Sequence, residues 1–430
     1  MKGRRIAGLP HRIKNCLALL LSSAAFLIVP CAATISAIAQ TPDTKTDTRE
    51  SQPAEIQRID IVLARELQNL PPPLSLLDFP PKDRGIAGAE LAIRDNNTTG
   101  RFLKQEFSLE VVEAPSAEEL VSKVIERVKA GARFVVADAR AETVLALSDA
   151  LRDETALIFN AGASDDNLRE ENCRRNVLHT APSRAMLTDA LAQYLVWKRW
   201  RNWFLVHGTR PEDLAYAEAL KRSAKRFGAK IVEERPFNVD LGNRRADGGH
   251  EQIQQQIPTF TQNAPDYDVL IVADELDQFG SYLPFRTWEA RPVAGTQGLV
   301  PESWHPSLEQ WGATQLQSRF QKLANRPMTP RDYDIWVAVR SIGEAATRTR
   351  ANDPEKLIAY IKSPGFDVAG FKGRKLSFRA WNGQLRQPIL VSTAKLPVTV
   401  SPQPGFLHQF TDLDTLGVDQ PETKCRNYAG

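Results

Sequence analysis

Cysteine and histidine are scarce in this chain, four and six in 430 residues. Thiols this sparse exclude a disulfide-stapled miniature fold. The histidines beyond the first forty residues (His179, His207, His250, His305 and His408) stand singly, none at metal-ligand spacing from another. Also missing are G-x-S-x-G, G-x-x-x-x-G-K-[ST], G-x-G-x-x-G and H-E-x-x-H, so no nucleophile elbow, phosphate loop, dinucleotide fingerprint or zinc-protease helix is written in the chain. No nucleophile–base pair stands out, and an enzyme is the weakest class. No period of 20–50 residues recurs, which excludes a solenoid. What is present is ordinary: 42% hydrophobic and 25% charged residues, the profile of a globular protein with length for two or three domains.

The formal charge of +3 comes from 55 Lys+Arg against 52 Asp+Glu, and its excess sits at the N-terminus. Lys2, Arg4, Arg5, Arg12 and Lys14 precede an apolar run from Cys16 to Val29, and Ala37-Ile38-Ala39 reads as a cleavage site. That run is shorter than the roughly 20 residues a spanning helix needs. Residues 1–39 are therefore expected to be a signal peptide and the protein periplasmic. Removing five positive charges leaves 50 Lys+Arg against 52 Asp+Glu, a net of −2. No basic stripe remains to track phosphates, so nucleic acid is not an expected partner. No second long apolar run exists, so no membrane insertion is expected after cleavage. Two cysteines remain, Cys173 and Cys425. In an oxidising compartment they are most simply one disulfide.

Beyond a polar leader over 40–57, strand-like and helix-like segments alternate. Strands are expected at Arg58–Ala64, Phe107–Val112, Phe134–Ala137, Ala156–Asn160, Val177–His179, Trp203–Val206, Lys230–Glu234, Val269–Ala273 and Pro292–Gly295. Between them, helical spacing covers Asp83–Asn96 (stopping at Gly100), Ser116–Ala130, Ala141–Arg152, Ser183–Trp197, Pro211–Phe227 and His250–Phe260. Glu309–Leu323 and Thr329–Arg350 are two more helices. Such alternation implies an α/β fold of parallel sheets with helices on both faces. The expected division is a first lobe over 58–182 with a return segment near 300–350, a second lobe over 183–300, and C-terminal crossover strands and tail over 351–430.

Ligands in such sheets sit beyond the carboxyl ends of the strands. Asp138, Asp165, Asp166, Asp274, Glu275 and Asp277 all follow predicted strands there, and His179 and His207 stand at strand ends. Hard carboxylate oxygens from several loops would suit Ca²⁺ or a larger trivalent ion. The same acids are equally common as helix caps. Leu70–Pro81 holds five prolines in twelve residues and reads as an extended rim beside the cleft.

The stretch AELAIRDNNTTGRFLKQEFSLEVVEA resembles the first helix–turn–strand of periplasmic binding proteins of the branched-chain amino acid type. VLHTAPSRAMLTDALAQYL looks like that family's crossover into its second lobe, and HGTRPEDLAYAEALKRSAKRFGAKIVEE like the strand–helix–strand that follows. PPPLSLLDFPPKDRG, GTQGLVPESWH, EQWGATQLQSRF and WNGQLRQP are similar to a narrower branch, the substrate-binding proteins of PQQ-dependent alcohol dehydrogenase systems. The resemblance implies a two-lobed, non-enzymatic carrier that needs no cofactor and hands a small ligand to an ABC permease. The family's ligand positions fall on Ala139, Arg140, Ala163, Ser164, Tyr216, Asp274, Glu275, Thr296 and Gln297, and at 139–140 an alanine and an arginine stand in place of the family's serines. Two other readings stay open: a carrier of a metal ion or chelate (Ca²⁺ or a lanthanide) through Asp138, Asp165, Asp166 and Asp277, and an adaptor or sensor that contacts a periplasmic dehydrogenase.

Overall fold

The computed structural model describes residues 56–75, 78–238, 249–426 and 428; the side chains of 249–251 are outside the description. The expected signal segment and all but the last two leader residues fall outside the described residues. In chain order the elements are β1 (Gln57–Glu66), α1 (Ile86–Leu103), β2 (Gln105–Ala114), α2 (Ala117–Lys129), β3 (Phe134–Asp138), α3 (Ala141–Ala150), β4 (Leu157–Asn160), β5 (Val177–His179), α4 (Arg184–Trp197), β6 (Asn202–His207), α5 (Pro211–Phe227), β7 (Lys230–Pro236), α6 (Gly249–Thr261), β8 (Val269–Ala273), β9 (Val293–Gly295), β10 (Val300–Glu302), α7 (Ala313–Ala324), α8 (Pro330–Thr349), α9 (Pro354–Lys362), β11 (Val368–Ala369), β12 (Lys375–Phe378), β13 (Leu385–Arg386), β14 (Ile389–Ser392) and β15 (Pro397–Ser401).

Two parallel sheets organise the chain. The first has the order β2-β1-β3-β4-β5 and the second β7-β6-β8-β9. The period of two explains why each is covered on both faces. Along β1, Ile59, Ile61 and Leu63 point into a core shared with α1 and α8, while Val62 and Ala64 point into one shared with α2 and α3. Along β6, Trp203 and Leu205 face α4 and α5, and Phe204 and Val206 face α6. A strand buried on both faces has no polar stripe, which is why VLIVA and FVVA read as continuous apolar runs. Each large side chain so buried contributes roughly 1.5–3 kcal/mol.

The helix ends follow the sequence signals closely. The Ser116 hydroxyl accepts from the Glu119 N–H, the Ser183 hydroxyl from the Met186 N–H, and Thr329 and Asp332 form a reciprocal capping box on α8. Helix α5 opens with Pro211 and stops at Gly228, whose φ of 79° is the left-handed cap. Two of the helix boundaries that differ from expectation have a visible cause. Helix α1 runs on through Gly100 to Leu103, because Gly100 is there for close packing: a Cβ would lie 2.4 Å from the Gln105 carbonyl oxygen. Helix α7 begins four residues later than its apolar spacing suggests, since Trp311 and Gly312 both have positive φ and interrupt the turn before it.

Alternation of strand and helix does not describe the C-terminal third. There β10-β14-β15 and β11-β12-β13 form two small antiparallel sheets. Three segments run between the lobes: the stretch after β5, the stretch between β9 and β10 into Ser303, and the stretch after β13. One buried chain of hydrogen bonds ties them together. Lys372 Nζ donates to the Ser303 carbonyl at 2.9 Å and to Gln387 Oε1 at 2.7 Å, and Gln387 Nε2 donates to the Thr180 carbonyl at 2.8 Å. The WNGQLRQP segment, residues 381–388, supplies Gln387, the middle link of that chain.

The C-terminal tail touches both lobes. Gly417 takes hydrogen bonds from Arg222 and Arg226 and donates to Asp189, all on α4 and α5. A few residues earlier Asp414 accepts from Arg379 and Arg386, which flank β12 and β13 beside the first sheet. The tail is then fixed by a Cys173–Cys425 disulfide, 252 residues apart in sequence.

Candidate functional site

The carboxyl ends of the strands place the expected residues on two walls. On the first wall, Arg65 and Glu66 end β1, Asp138 ends β3, and Asn160 ends β4. Glu66 is buried and accepts from the Arg140 amide at 3.0 Å, Arg140 Nε at 2.8 Å and Thr143 Oγ1 at 2.8 Å. Burial alone would raise the Glu66 carboxyl; these hydrogen bonds outweigh it and lower it. The expected ligand residue Arg140 is thus turned to Glu66, with an exposed guanidinium. Ala163 is buried, and its carbonyl accepts from Asn160 and Arg169.

Asp138 stands between two arginines. Arg65 Nε lies 3.6 Å from one carboxylate oxygen and Arg331 Nε 3.4 Å from the other. Arg84 is their neighbour, and burial together with the Arg331 charge lowers its guanidinium. Arg65 also meets Glu113, and Arg331 donates to the Ala161 carbonyl. Among the described residues no carboxylate lies within the 4 Å ion-pair distance of Arg84. Asp332, the next acid, is held by Arg326 at 2.7 Å and by the Gly85 amide at 2.6 Å.

The second wall is built differently. Asp274 Oδ1 accepts from the Gln278 amide at 2.9 Å, and its Oδ2 from the amides of Phe279 and Gly280, both at 2.7 Å. Its own amide donates to Thr296 Oγ1 at 2.9 Å. Asp277 binds Ser281 at 2.9 Å, and Ser281 also reaches Gln297 Oε1 at 3.4 Å. Asp213 accepts from the Glu275 amide at 2.8 Å, and burial pushes its carboxyl up to about 6. Glu275 takes a two-pronged bond from Arg184, Nε at 2.9 Å and Nη2 at 2.7 Å. Tyr216 is buried near this pair, and burial followed by the Glu275 charge raises its phenol.

Arg184 is where the walls meet. It stands at the start of α4, pairs with Glu275 of the second wall, and reaches Asp165 of the first at 2.9 Å. Its amide donates to the Ser164 carbonyl at 2.9 Å, and Asp166 caps the next amide, that of Ala185, at 3.0 Å. Burial would lower the Arg184 guanidinium; the hydrogen bonds and charge of Glu275 and Asp165 more than reverse that, so it stays charged.

The acids expected at the strand ends are therefore there, but the structure does not gather Asp138, Asp165, Asp166 and Asp277 around one point. Each has its own partner, and among the described residues no group of three or more His, Cys, Asp or Glu side chains is placed to hold a metal ion. His179 is buried against Asn160 at 3.1 Å, and His207 against the Gly208 carbonyl at 2.7 Å. The residues that sequence reasoning passed over are basic. Arg65 could have been found by the strand-end rule that found Asp138, and Arg184 by its place after the Ser183 cap. Arg331 comes from a helix almost 200 residues downstream and carries no local signal.

A profile described as periplasmic binding protein matches residues 83–396. No curated protein sequence matches. Among solved structures, the chain is similar to a branched-chain amino acid ABC transporter periplasmic ligand-binding protein from Burkholderia xenovorans LB400, at 15% identity and a TM-score of 0.66 over 86% of this chain and 99% of that one. It is also similar to an ABC transporter solute-binding protein from R. palustris in complex with benzoate, at 13% identity and 0.61 over 86% and 99%. A third is the leucine-, isoleucine-, valine-, threonine- and alanine-binding protein of Brucella ovis, at 12% and 0.62 over 80% and 95%. Identities this low carry the fold.

Proposed function

The chain belongs to the periplasmic binding protein family, and on that premise we propose that it captures a small solute between its two walls and delivers it to an ABC permease. The observation that carries the reading is Arg184, which joins a first-wall acid to a second-wall acid at the strand ends. A ligand that closes the walls would act on that joint through a hinge motion of two packed lobes. No group-transfer chemistry is assigned to the chain. The Pro-rich rim and WNGQLRQP support a finer reading, service to a PQQ-dependent alcohol oxidation system in the periplasm.

Thermal unfolding of the purified protein with PQQ, short alcohols, leucine, benzoate, Ca²⁺ and a lanthanide tests this. Specific binding at 100–1,000 times the dissociation constant stabilises by about 3–4 kcal/mol. An organic solute is expected to raise the midpoint. A response to the metals alone would transfer the reading to cation carriage. Silence toward every solute, with capture of a periplasmic dehydrogenase, would replace it with an adaptor.

A further inference from the structure

A basic and aromatic face stands at the end of the second sheet away from the cleft. We infer that the protein rests this face on the anionic headgroups of a phospholipid bilayer, as a peripheral contact without insertion.

The face is assembled from two stretches of chain. Helix α4 ends at Trp197, and Lys198, Arg199 and Arg201 follow before β6 begins at Asn202. Helix α5 carries Lys225 in its last turn, and Lys230 opens β7. Strand pairing sets Lys230 opposite Asn202, and the Lys230 amide donates to the Arg201 carbonyl at 2.7 Å. The two stretches thus form one corner at the amino ends of β6 and β7, whereas ligands of such a sheet sit beyond its carboxyl ends. Chain order splits the corner in two, so no basic stripe shows in the sequence.

All five cations are exposed, and among the described residues none lies within ion-pair distance of an acid. Their basic neighbours are paired: Lys221 with Glu218 and Glu234, Arg222 and Arg226 with Asp189 and Glu422, and Arg291 with Asp266. Asp268 belongs to the corner, where it accepts from the amides of Arg201 and Asn202, both at 2.8 Å. Five positive charges against that one negative leave a net of +4. The C-terminal ends of α4 and α5 favour a cation apiece through the helix dipole. Arg199, Arg201 and Lys230 lie outside both helices.

Aromatic surface stands among the charges. Trp197 is 55% exposed, with its indole stacked on Tyr194 at 6.1 Å. The Lys198 ammonium lies 5.7 Å from the Trp197 ring and 5.9 Å from that of Trp200. Phe227, at the end of α5, meets Phe406 of the tail edge-on at 5.6 Å, and Leu407 beside it is 50% exposed. Half-wet indoles sit at the headgroup level of bilayers, and each Lys or Arg near an anionic leaflet adds attraction. Five long side chains without fixed partners make a diffuse positive field, which suits a sheet of headgroups better than the fixed charge pattern of an acidic protein.

Co-sedimentation of the purified protein with vesicles of phosphatidylcholine, alone or with one-third phosphatidylglycerol, tests this. Binding to the anionic vesicles alone is expected, weakening at least about tenfold as salt rises to about 0.3 M and screens the charges. Lys198→Gln with Arg199→Gln and Arg201→Gln should weaken it about 10- to 100-fold, and Lys225→Gln with Lys230→Gln somewhat less, with unchanged circular dichroism spectra. Trp197→Ala should weaken it several-fold at low and high salt alike. The two charge variants come from separate segments, so misfolding of one leaves the other to decide. No binding at low salt, equal binding to the neutral vesicles, or full binding by a folded charge variant would overturn the inference. Retention on immobilised polyglutamate without vesicle binding would overturn it too, and would assign the face to an acidic protein.

Discussion

The two walls of the cleft use the same position, the loop after a parallel strand, in opposite ways. The second wall spends its acids internally. Asp213 and Asp274 organise backbone, Asp277 holds Ser281, Glu275 pairs with Arg184, and the loop from Asp274 to Ser281 is built on those bonds. The first wall leaves donors over: Asp138 is held loosely, and among the described residues Arg84 has no acid within ion-pair distance. Strand-end acids are thus of two kinds, those that build a loop and those that tune a surface. Sequence position does not separate them; their partners do.

The contrast can be broken at its strongest point. Asp274→Ala removes the acceptor of three buried amides and is expected to destabilise by about 4 kcal/mol, lowering the thermal midpoint by roughly 10 °C. A loss under 1 kcal/mol in denaturant titration would mean the second wall is not built on that side chain.

A buried acid beneath the first wall gives the next largest effect. Asp334 is 6% exposed, and burial pushes its carboxyl up to about 7 against the opposing charges of Arg331, Lys372 and Arg169. Its folded-state value lies above its unfolded one. Between about pH 4 and 7 the folded chain therefore holds a proton the unfolded chain releases, and stability falls as pH rises through that window. Asp334→Asn should flatten the fall, narrowing the difference in midpoint between pH 5 and pH 7 by several degrees. An unchanged difference would assign the pH dependence elsewhere.

The smallest effect sharpens the comparison. Asp138→Asn, which deletes a carboxylate that accepts no hydrogen bond, should change stability by less than about 1 kcal/mol, within the range of weak ion pairs. A loss as large as that of Asp274→Ala would make the two walls alike.

These differences also explain what the amino-acid sequence discloses. Val177–His179, Pro211–Phe227 and Val269–Ala273 match the structure to the residue, because period, cap and breaker agree locally. The small sheet of β10, β14 and β15 did not show, since its strands are only three to five residues long and β10 pairs with β14 almost 100 residues away. The strand-end acids were legible for the same local reason as the strands. The loose grip of Arg65 and Arg331 on Asp138 was not, because it depends on where α8 returns to the first sheet. Gly88 and Gly343 permit that return: a Cβ at either would lie about 2 Å from the facing helix, against the Asp332 carbonyl or the Asn96 side chain.

The bond between Cys173 and Cys425 closes the chain between them into a ring, with β1 to β4 on the arm that precedes it. Every element from β5 to β15, the whole second sheet included, lies on the 252-residue circumference. A single protease cut on the circumference therefore opens the ring and releases nothing, and the nicked protein keeps its full mass until a reductant is added. Closing so long a loop also narrows the unfolded ensemble, worth about 5 kcal/mol in the chain-entropy picture.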